Sequence, residues 1–287
     1  MSYLDTLRAS AENAGNIVCM GLDPVLGALP APEKTLPERI TDYFEQIFTA
    51  MKKRSLRVAA FKPNIGYYAK LDRPLEGNFD GSRALARTVA LIRELFPGVP
   101  LILDAKRGDI ATSSANYAQE AFDGWQADAV TVSPYMGTDS VMPFAFENKG
   151  VYVLNRTSNP GGRDLQNKTE LSGEPFYMTV ARVIALWHGE FDGIGAVAGA
   201  TNLKEFADIA GFYADKDIPL LIPGVGSQGG TAPEVMERME KTGYPVALAR
   251  VNSSSGLTHP WKKGPAPEDA LDRVLTNISK LIKETSL

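Results

Sequence analysis

Leu101-Ile102-Leu103-Asp104-Ala105-Lys106-Arg107-Gly108-Asp109-Ile110 opens on three apolar residues and turns at once into a dense run of charge. A short apolar run reads as a buried strand, and charge at its carboxyl end reads as the rim of a parallel sheet. Working outward in both directions, eight strand candidates of this kind end near Gly21, Lys62, Asp104, Ser133, Asn155, Ala198, Pro223 and Arg250. Longer segments of helical period separate them, which is the pattern of βα units on a parallel sheet. Eight strand–helix repeats predict an α/β fold that is a (β/α)8 TIM barrel rather than an open doubly wound sheet. A dinucleotide-binding sheet would want a glycine fingerprint after its first strand. The first strand here runs instead into Gly21-Leu22-Asp23-Pro24.

The helical segments carry apolar stripes. Ile40, Tyr43, Phe44, Ile47, Phe48 and Met51 share one face, and Thr35 with Glu38 offers a capping box ahead of it, Pro37 being tolerated in the first turn. Leu85, Val89, Ile92 and Phe96 make a second stripe, and Tyr177, Val180, Ala181, Ile184 and Trp187 a third. Leu271, Val274, Leu275, Ile278, Leu281 and Ile282 make the last, which closes the ring of helices. The stretches 66–82 and 159–174 are polar and rich in Gly or Pro, and are expected as long loops. Residues 1–287 are read as a single barrel domain.

Composition narrows the function classes. Of 287 residues, 44% are hydrophobic and 22% charged, ordinary for a soluble globular enzyme. A net charge of −4 gives no polyanion footprint, so nucleic acid is not an expected partner. The single cysteine, Cys19, excludes an intramolecular disulfide; in the apolar run Ile17-Val18-Cys19-Met20 it reads as a buried, inert thiol. The first fifteen residues lack a signal-peptide core, and no apolar stretch is long enough to span a bilayer, so a cytoplasmic protein with no membrane partner is expected. His188 and His259 are distant from each other and have no i,i+4 partner, which argues for packing or surface roles and for no metal site. Lys52-Lys53-Arg54 suits a helix carboxyl end. Ser253-Ser254-Ser255 reads as a plain polar loop.

Chemistry in such a barrel sits at the carboxyl ends of the strands. Read in order, those ends give Asp23, Lys62, Asp104 with Lys106, Ser158, Gln228 and Arg250. Asp104 and Lys106 are two apart on an extended segment, so both side chains project to one side. Alone, the pair fits a structural ion pair as well as a catalytic one. Lys62, following Ala59-Ala60-Phe61 on the neighbouring strand, brings a second ammonium to the same mouth and favours function. Ile222-Pro223-Gly224-Val225-Gly226-Ser227-Gln228-Gly229-Gly230 ends the seventh strand with glycines that let backbone N–H groups approach an anion. With Arg250 on the adjacent strand, the run predicts a phosphorylated ligand.

These residues resemble the orotidine 5′-phosphate decarboxylase family, more particularly its longer bacterial branch (type 2). Asp104-Ala105-Lys106-Arg107-Gly108-Asp109-Ile110 is similar to the family's Asp-x-Lys-x-x-Asp-Ile signature. Gly21-Leu22-Asp23-Pro24, Phe61-Lys62-Pro63-Asn64, Thr157-Ser158-Asn159-Pro160-Gly161 and the Pro223 to Gly230 run look like its other landmarks, in the family's order. The resemblance implies a catalytic set of Lys106, Asp104, Asp109 and Lys62 acting on orotidine 5′-monophosphate. Lys106 would protonate C6 of the pyrimidine, and Asp104 would sit against the departing carboxylate. Asp109 and Ile110 would cross a homodimer interface into the partner's site. It implies Asp23 and Lys62 on the ribose, Ser158 on the pyrimidine, and Gln228 and Arg250 on the phosphate, beside Pro223 among the substrate-binding residues. Ser113 stands where many relatives carry threonine for the partner's ribose, and Ala249 where shorter relatives carry glycine. No cofactor is implied, so a prearranged cation must stabilise the C6 electron pair. Loops 159–174 and 224–232 are the implied lids. Alternatives are a Mg²⁺-dependent sugar-phosphate barrel sharing the signature, a non-catalytic nucleotide binder and a lysine Schiff-base aldolase.

Overall fold

The computed structural model describes residues 1–287 apart from Leu171, Ser172, Ser227, Gln228, Lys262 and Lys263. Its strands are β1 (Val18–Gly21), β2 (Ala60–Lys62), β3 (Ile102–Arg107), β4 (Ala129–Val132), β5 (Gly150–Arg156), β6 (Ile194–Ala198), β7 (Leu220–Ile222) and β8 (Ala249–Ser253). They pair in parallel in the order β2-β1-β8-β7-β6-β5-β4-β3. The two ends of that order meet: Phe61 N donates to Pro100 O at 3.0 Å and Asp104 N to Pro63 O at 2.9 Å. The sheet is thus the barrel that eight βα repeats predict. Its strands are covered on both faces, which is why they read as near-continuous apolar runs.

The principal helices are α1 (Tyr3–Ala14), α2 (Leu36–Lys53), α3 (Ile65–Ala69), α4 (Asp80–Leu95), α5 (Ala111–Gln119), α6 (Thr138–Val141), α7 (Phe176–Glu190), α8 (Leu203–Tyr213), α9 (Ala232–Thr242), α10 (Ser255–Thr258) and α11 (Ala270–Glu284). The predicted stripes point inward. All six apolar residues of the α2 face are buried, and Phe48 meets Phe61 of β2 and Phe96 beyond α4 at centroid separations of 5.2 and 5.6 Å. The Glu38 carboxylate accepts from Thr35 N at 3.1 Å and from the Thr35 hydroxyl at 2.6 Å, the reciprocal half of the expected capping box. In the last stripe Leu271 is exposed, while Val274, Leu275, Ile278 and Leu281 are buried.

Three departures from the sequence expectations bear on the site. The stretch 66–82 is not simply a loop: it carries most of α3, a 3-10 turn at Pro74–Glu76 and the start of α4, with the buried Tyr68 hydroxyl donating to Leu22 O at 2.9 Å. β8 begins at Ala249 rather than ending near Arg250, because Val246–Leu248 forms a 3-10 turn below the barrel. β3 runs on to Arg107 with a register shift against β4 between Leu103 and Arg107. Among the described residues no helix is long and apolar enough to cross a membrane.

Candidate active site

Asp104 stands at the point where β3 leaves the apolar interior. Its two oxygens are gripped separately: Lys62 Nζ, from the end of β2, lies 2.7 Å from Oδ2, and Lys106 Nζ lies 2.5 Å from Oδ1. Lys62 and Asp104 are buried, whereas the Lys106 side chain is 48% exposed and faces the opening. Burial works against charge on Asp104, yet the ammonium groups of Lys62 and Lys106 together hold its carboxyl well below the usual carboxylate range. Burial likewise works against Lys62, and the carboxylates of Asp104 and Asp23 override it, raising the ammonium above its ordinary value. Asp104 and Lys62 are therefore both ionised at neutral pH. A buried carboxylate thus lies between two cations at the strand ends.

The backbone beneath Lys106 departs from regular strand. Its φ is +45°, in the left-handed region that a lysine adopts only when its surroundings compel it. Thr131 of β4 supplies the compulsion: its hydroxyl oxygen accepts from Ala105 N at 3.1 Å and from Lys106 N at 2.9 Å. The same hydroxyl donates to Asp104 Oδ1 at 2.9 Å. One buried side chain thus fixes both the carboxylate and the turn that aims the lysine. The irregularity coincides with the β3–β4 register shift, a common device for re-aiming a side chain at a site. Sequence reasoning missed Thr131; its only signal was a lone polar residue in Ala129-Val130-Thr131-Val132.

Asp109 and Ile110 lie on the turn from β3 into α5, and Ser113 lies in the first turn of α5. Asp109 Oδ1 accepts from Ile110 N at 2.7 Å, and among the described residues it makes no ion pair. Ile110 is 57% exposed, and Tyr135 and Met136 after β4 are exposed beside that edge of the barrel mouth.

Asp104 and Lys106 border a cleft of about 350 Å³ that reaches Asn64 and Tyr68. Asn64 N in turn donates to Asp23 Oδ1 at 3.2 Å, and Asp23 borders a second cavity of about 600 Å³. That cavity is walled by Pro223, Gly224 and Gly226 after β7 and by Asn252 through Gly256 at the carboxyl end of β8 and just beyond it. Ser253-Ser254-Ser255 is therefore not a bystander loop. Ser254 lies so close over Gly21 that a Cβ there would come within 1.8 Å of its hydroxyl oxygen. Gly224, at φ +83°, brings the β7 turn against Ser158: a Cβ at 224 would lie 2.8 Å from the Ser158 Cβ. Ser158 itself borders a neighbouring cleft with Arg156, Arg163 and Asn202. The base of that cleft is a buried ion pair, Arg156 to Glu205 at 2.6 Å, which Asn202 and Asn167 complete by donating to Glu205 Oε1 at 2.7 and 2.5 Å.

Of the two predicted phosphate ligands, Arg250 does not reach this cavity as expected. Gln228 lies outside the described residues. Arg250 is fully buried near the amino end of β8, where its guanidinium donates to the carbonyls of Leu7, Ala247 and Ala249 at 2.6, 3.0 and 2.7 Å. The late start of β8 explains the error: Arg250 is the strand's second residue, and the carboxyl end is Asn252-Ser253. Cys19 is buried as expected, its thiol pushed up to about 12 by burial. His188 Nδ1 lies 2.7 Å from Ile194 O, a packing role, whereas His259 borders the 600 Å³ cavity. Among the described residues no three His, Cys, Asp or Glu side chains converge as metal ligands.

A (β/α)8 barrel with a buried carboxylate between two lysines at its strand ends is an enzyme built to place fixed charge against a small ligand. Residues 18–244 match the family model described as "Orotidine 5'-phosphate decarboxylase / HUMPS family", and the chain belongs to that family. The chain is 43% identical to an orotidine 5′-phosphate decarboxylase of Ralstonia pickettii over 261 residues, 90% of each chain. It is 40% identical to that of Dechloromonas aromatica over 263 residues, 91% of this chain and 92% of the relative. Among solved structures, a putative orotidine-monophosphate-decarboxylase from Toxoplasma gondii superposes with a TM-score of 0.78 at 28% identity, covering 98% of this chain and 96% of that one. A UMP synthase from Leishmania donovani gives 0.77 at 28% identity, covering 98% of this chain and 56% of that one.

Proposed function

We propose that the protein decarboxylates orotidine 5′-monophosphate to UMP and CO2 by electrostatic stabilisation without a bound cofactor. The observation that carries the reading is Asp104 held between Lys62 and Lys106 at the strand ends of a chain in this family. Cleavage of the C6–carboxyl bond releases CO2 and leaves its electron pair in the plane of the pyrimidine, where the ring π-system cannot spread it. The Lys106 ammonium, half exposed and aimed by its left-handed backbone, stabilises that pair and then delivers its proton to C6. Asp104 faces the substrate carboxylate; their repulsion is relieved as CO2 departs. Asp23 and Lys62 hold the ribose, Ser158 the pyrimidine, and Gln228 with the glycine turn after Pro223 the phosphate.

The working enzyme is a homodimer in this reading. Asp109 and Ile110 of the partner subunit enter each site, with Ser113 near the ribose, and the exposed Ile110, Tyr135 and Met136 supply an apolar edge for a second copy to cover. Similarity to bacterial relatives of matching length supports placement in the longer bacterial branch, and a cytoplasmic enzyme is consistent with its single buried cysteine.

The test is incubation with orotidine 5′-monophosphate and EDTA, following loss of the orotate absorbance. Turnover that survives EDTA is expected; loss of turnover to EDTA favours a Mg²⁺-dependent relative. Lys106→Ala should keep its far-ultraviolet spectrum and lose at least about a thousandfold in kcat, because it removes both the stabilising charge and the proton donor. Full activity in that variant would sink the mechanism.

A further inference from the structure

The ligand's phosphate needs a cation that the expected arginine does not provide, since the Arg250 guanidinium is spent on backbone carbonyls at the opposite end of β8. The cavity between β7 and β8 offers hydroxyls and glycine backbone, and among the described residues two groups that can carry positive charge line it: Lys280 and His259. Lys280 lies 3.7 Å from Glu284 on α11 and its side chain is 71% exposed, so it is partly neutralised and well hydrated. His259 is held more firmly. Its backbone N–H donates to Ser255 O at 3.0 Å, and the preceding Thr258 carbonyl accepts from the Tyr43 hydroxyl of α2.

The hydrogen bonds around His259 engage one ring nitrogen and leave the other for the cavity. The Thr258 hydroxyl donates to Ser254 O at 3.0 Å, which uses its only proton. With that proton so used, its oxygen, 2.9 Å from His259 Nδ1, is assigned as accepting from an Nδ1–H. Nε2 is left without a partner among the described residues, on a side chain that borders the cavity. We infer that the His259 imidazole holds the ligand's phosphate, donating from a protonated Nε2 to a phosphate oxygen at the β7–β8 end of the cavity. This inference rests on the proposed function, which puts the reacting carbon at Lys106 and so sends the phosphate to the far side of Asp23.

Other charged groups facing His259 are few. Asp23 of the β1 end favours its protonation, Lys280 and Glu284 of α11 oppose each other, and the Trp261 ring lies edge-on at 6.4 Å. Lys262 and Lys263 follow in sequence, outside the described residues. Burial lowers the imidazole below its ordinary value of 6.5, with Asp23 opposing. The empty protein therefore carries mostly neutral His259 above about pH 7, and a bound phosphate dianion draws a proton onto it. Binding then weakens as pH rises, by up to about tenfold per unit between the free and bound pKa values.

Steady-state kinetics of wild type and His259→Gln between pH 6.5 and 8.5 test this, with orotidine 5′-monophosphate and with orotidine, which lacks the phosphate. Wild type should show KM for the nucleotide rising with pH and a flat KM for the nucleoside. His259→Gln should raise KM for the nucleotide by about tenfold at the acid end, flatten its pH dependence and leave orotidine unchanged. Identical nucleotide profiles in the two proteins overturn the inference, and so do equal losses on nucleotide and nucleoside, which mark a structural role. If His259→Gln fails to fold, the wild-type contrast between the two substrates decides alone: parallel pH profiles overturn the inference. A wild type that turns over neither substrate overturns the proposed function along with it.

Discussion

Thr131 does three things with one hydroxyl, and its replacement separates positioning from charge. Thr131→Val keeps the shape and the burial but leaves Asp104 Oδ1 short of a donor and the amides of Ala105 and Lys106 without their acceptor. Partly buried donors stripped of partners cost at most about 1–3 kcal/mol, so the variant should unfold at lower denaturant but still fold. With the Lys106 backbone freed from its left-handed turn, its ammonium shifts by a fraction of an ångström to an ångström, enough to lower kcat by about a hundredfold. KM should change little, because no contact with the far end of the ligand is lost. A variant with wild-type kcat would show that β3 holds its turn without Thr131. The residues that carry charge, Lys62, Asp104 and Lys106, were legible because charge directly after an apolar run has few structural explanations. Thr131 was not, since a β-branched residue in a strand needs no further reason, and only the register of the barrel shows where its hydroxyl points.

At the scale of elements, strand ends were readable wherever an apolar run stops at a charged or glycine-rich turn, as at Gly21, Lys62 and Ala198. They failed at β8. There the apolar Val246-Ala247-Leu248 precedes the strand as a 3-10 turn, and the strand itself is disguised by Asn252 and Ser253. Shifting the reading by three residues sent Arg250 to the wrong end of the barrel and hid the serine run and His259 from the site. The stretch 66–82 was misread for a similar reason: a five-residue helix is too short to show a period. Contact between elements is also close where the β7 turn leans on the β5 end. Gly224→Ala puts a side chain at φ +83° and within 2.8 Å of the Ser158 Cβ, so the two turns must part. The expected outcome is a loss of about 2 kcal/mol, a fall in Tm of about 4–5 °C, together with raised KM from displaced Ser158. A melting curve and KM equal to wild type would show that the β7 turn moves aside freely.

The whole molecule poses the question of how many chains make one site. Within a single chain Lys62, Asp104 and Lys106 converge, while Asp109, only three residues beyond Lys106, makes no ion pair among the described residues and accepts from its neighbour's amide. In the proposed function the fourth charge of the array comes from a second copy, which the exposed Ile110 beside Asp109 would help to seat. This arrangement makes a prediction that no monomeric reading shares. Lys106→Ala and Asp109→Ala should each be nearly inactive alone. Mixed and allowed to exchange subunits, they form hybrids in which one of two sites has Lys106 from one chain and Asp109 from the other, while the second site lacks both. Random exchange of equal amounts makes half the dimers hybrid, so activity should recover to about a quarter of the wild-type value. Recovery should follow subunit exchange in time and disappear when the variants are cross-linked as dimers before mixing. Activity that stays at the sum of the two parents after complete exchange, verified by mass spectrometry of the hybrids, would place Asp109 in its own chain's site or outside catalysis altogether.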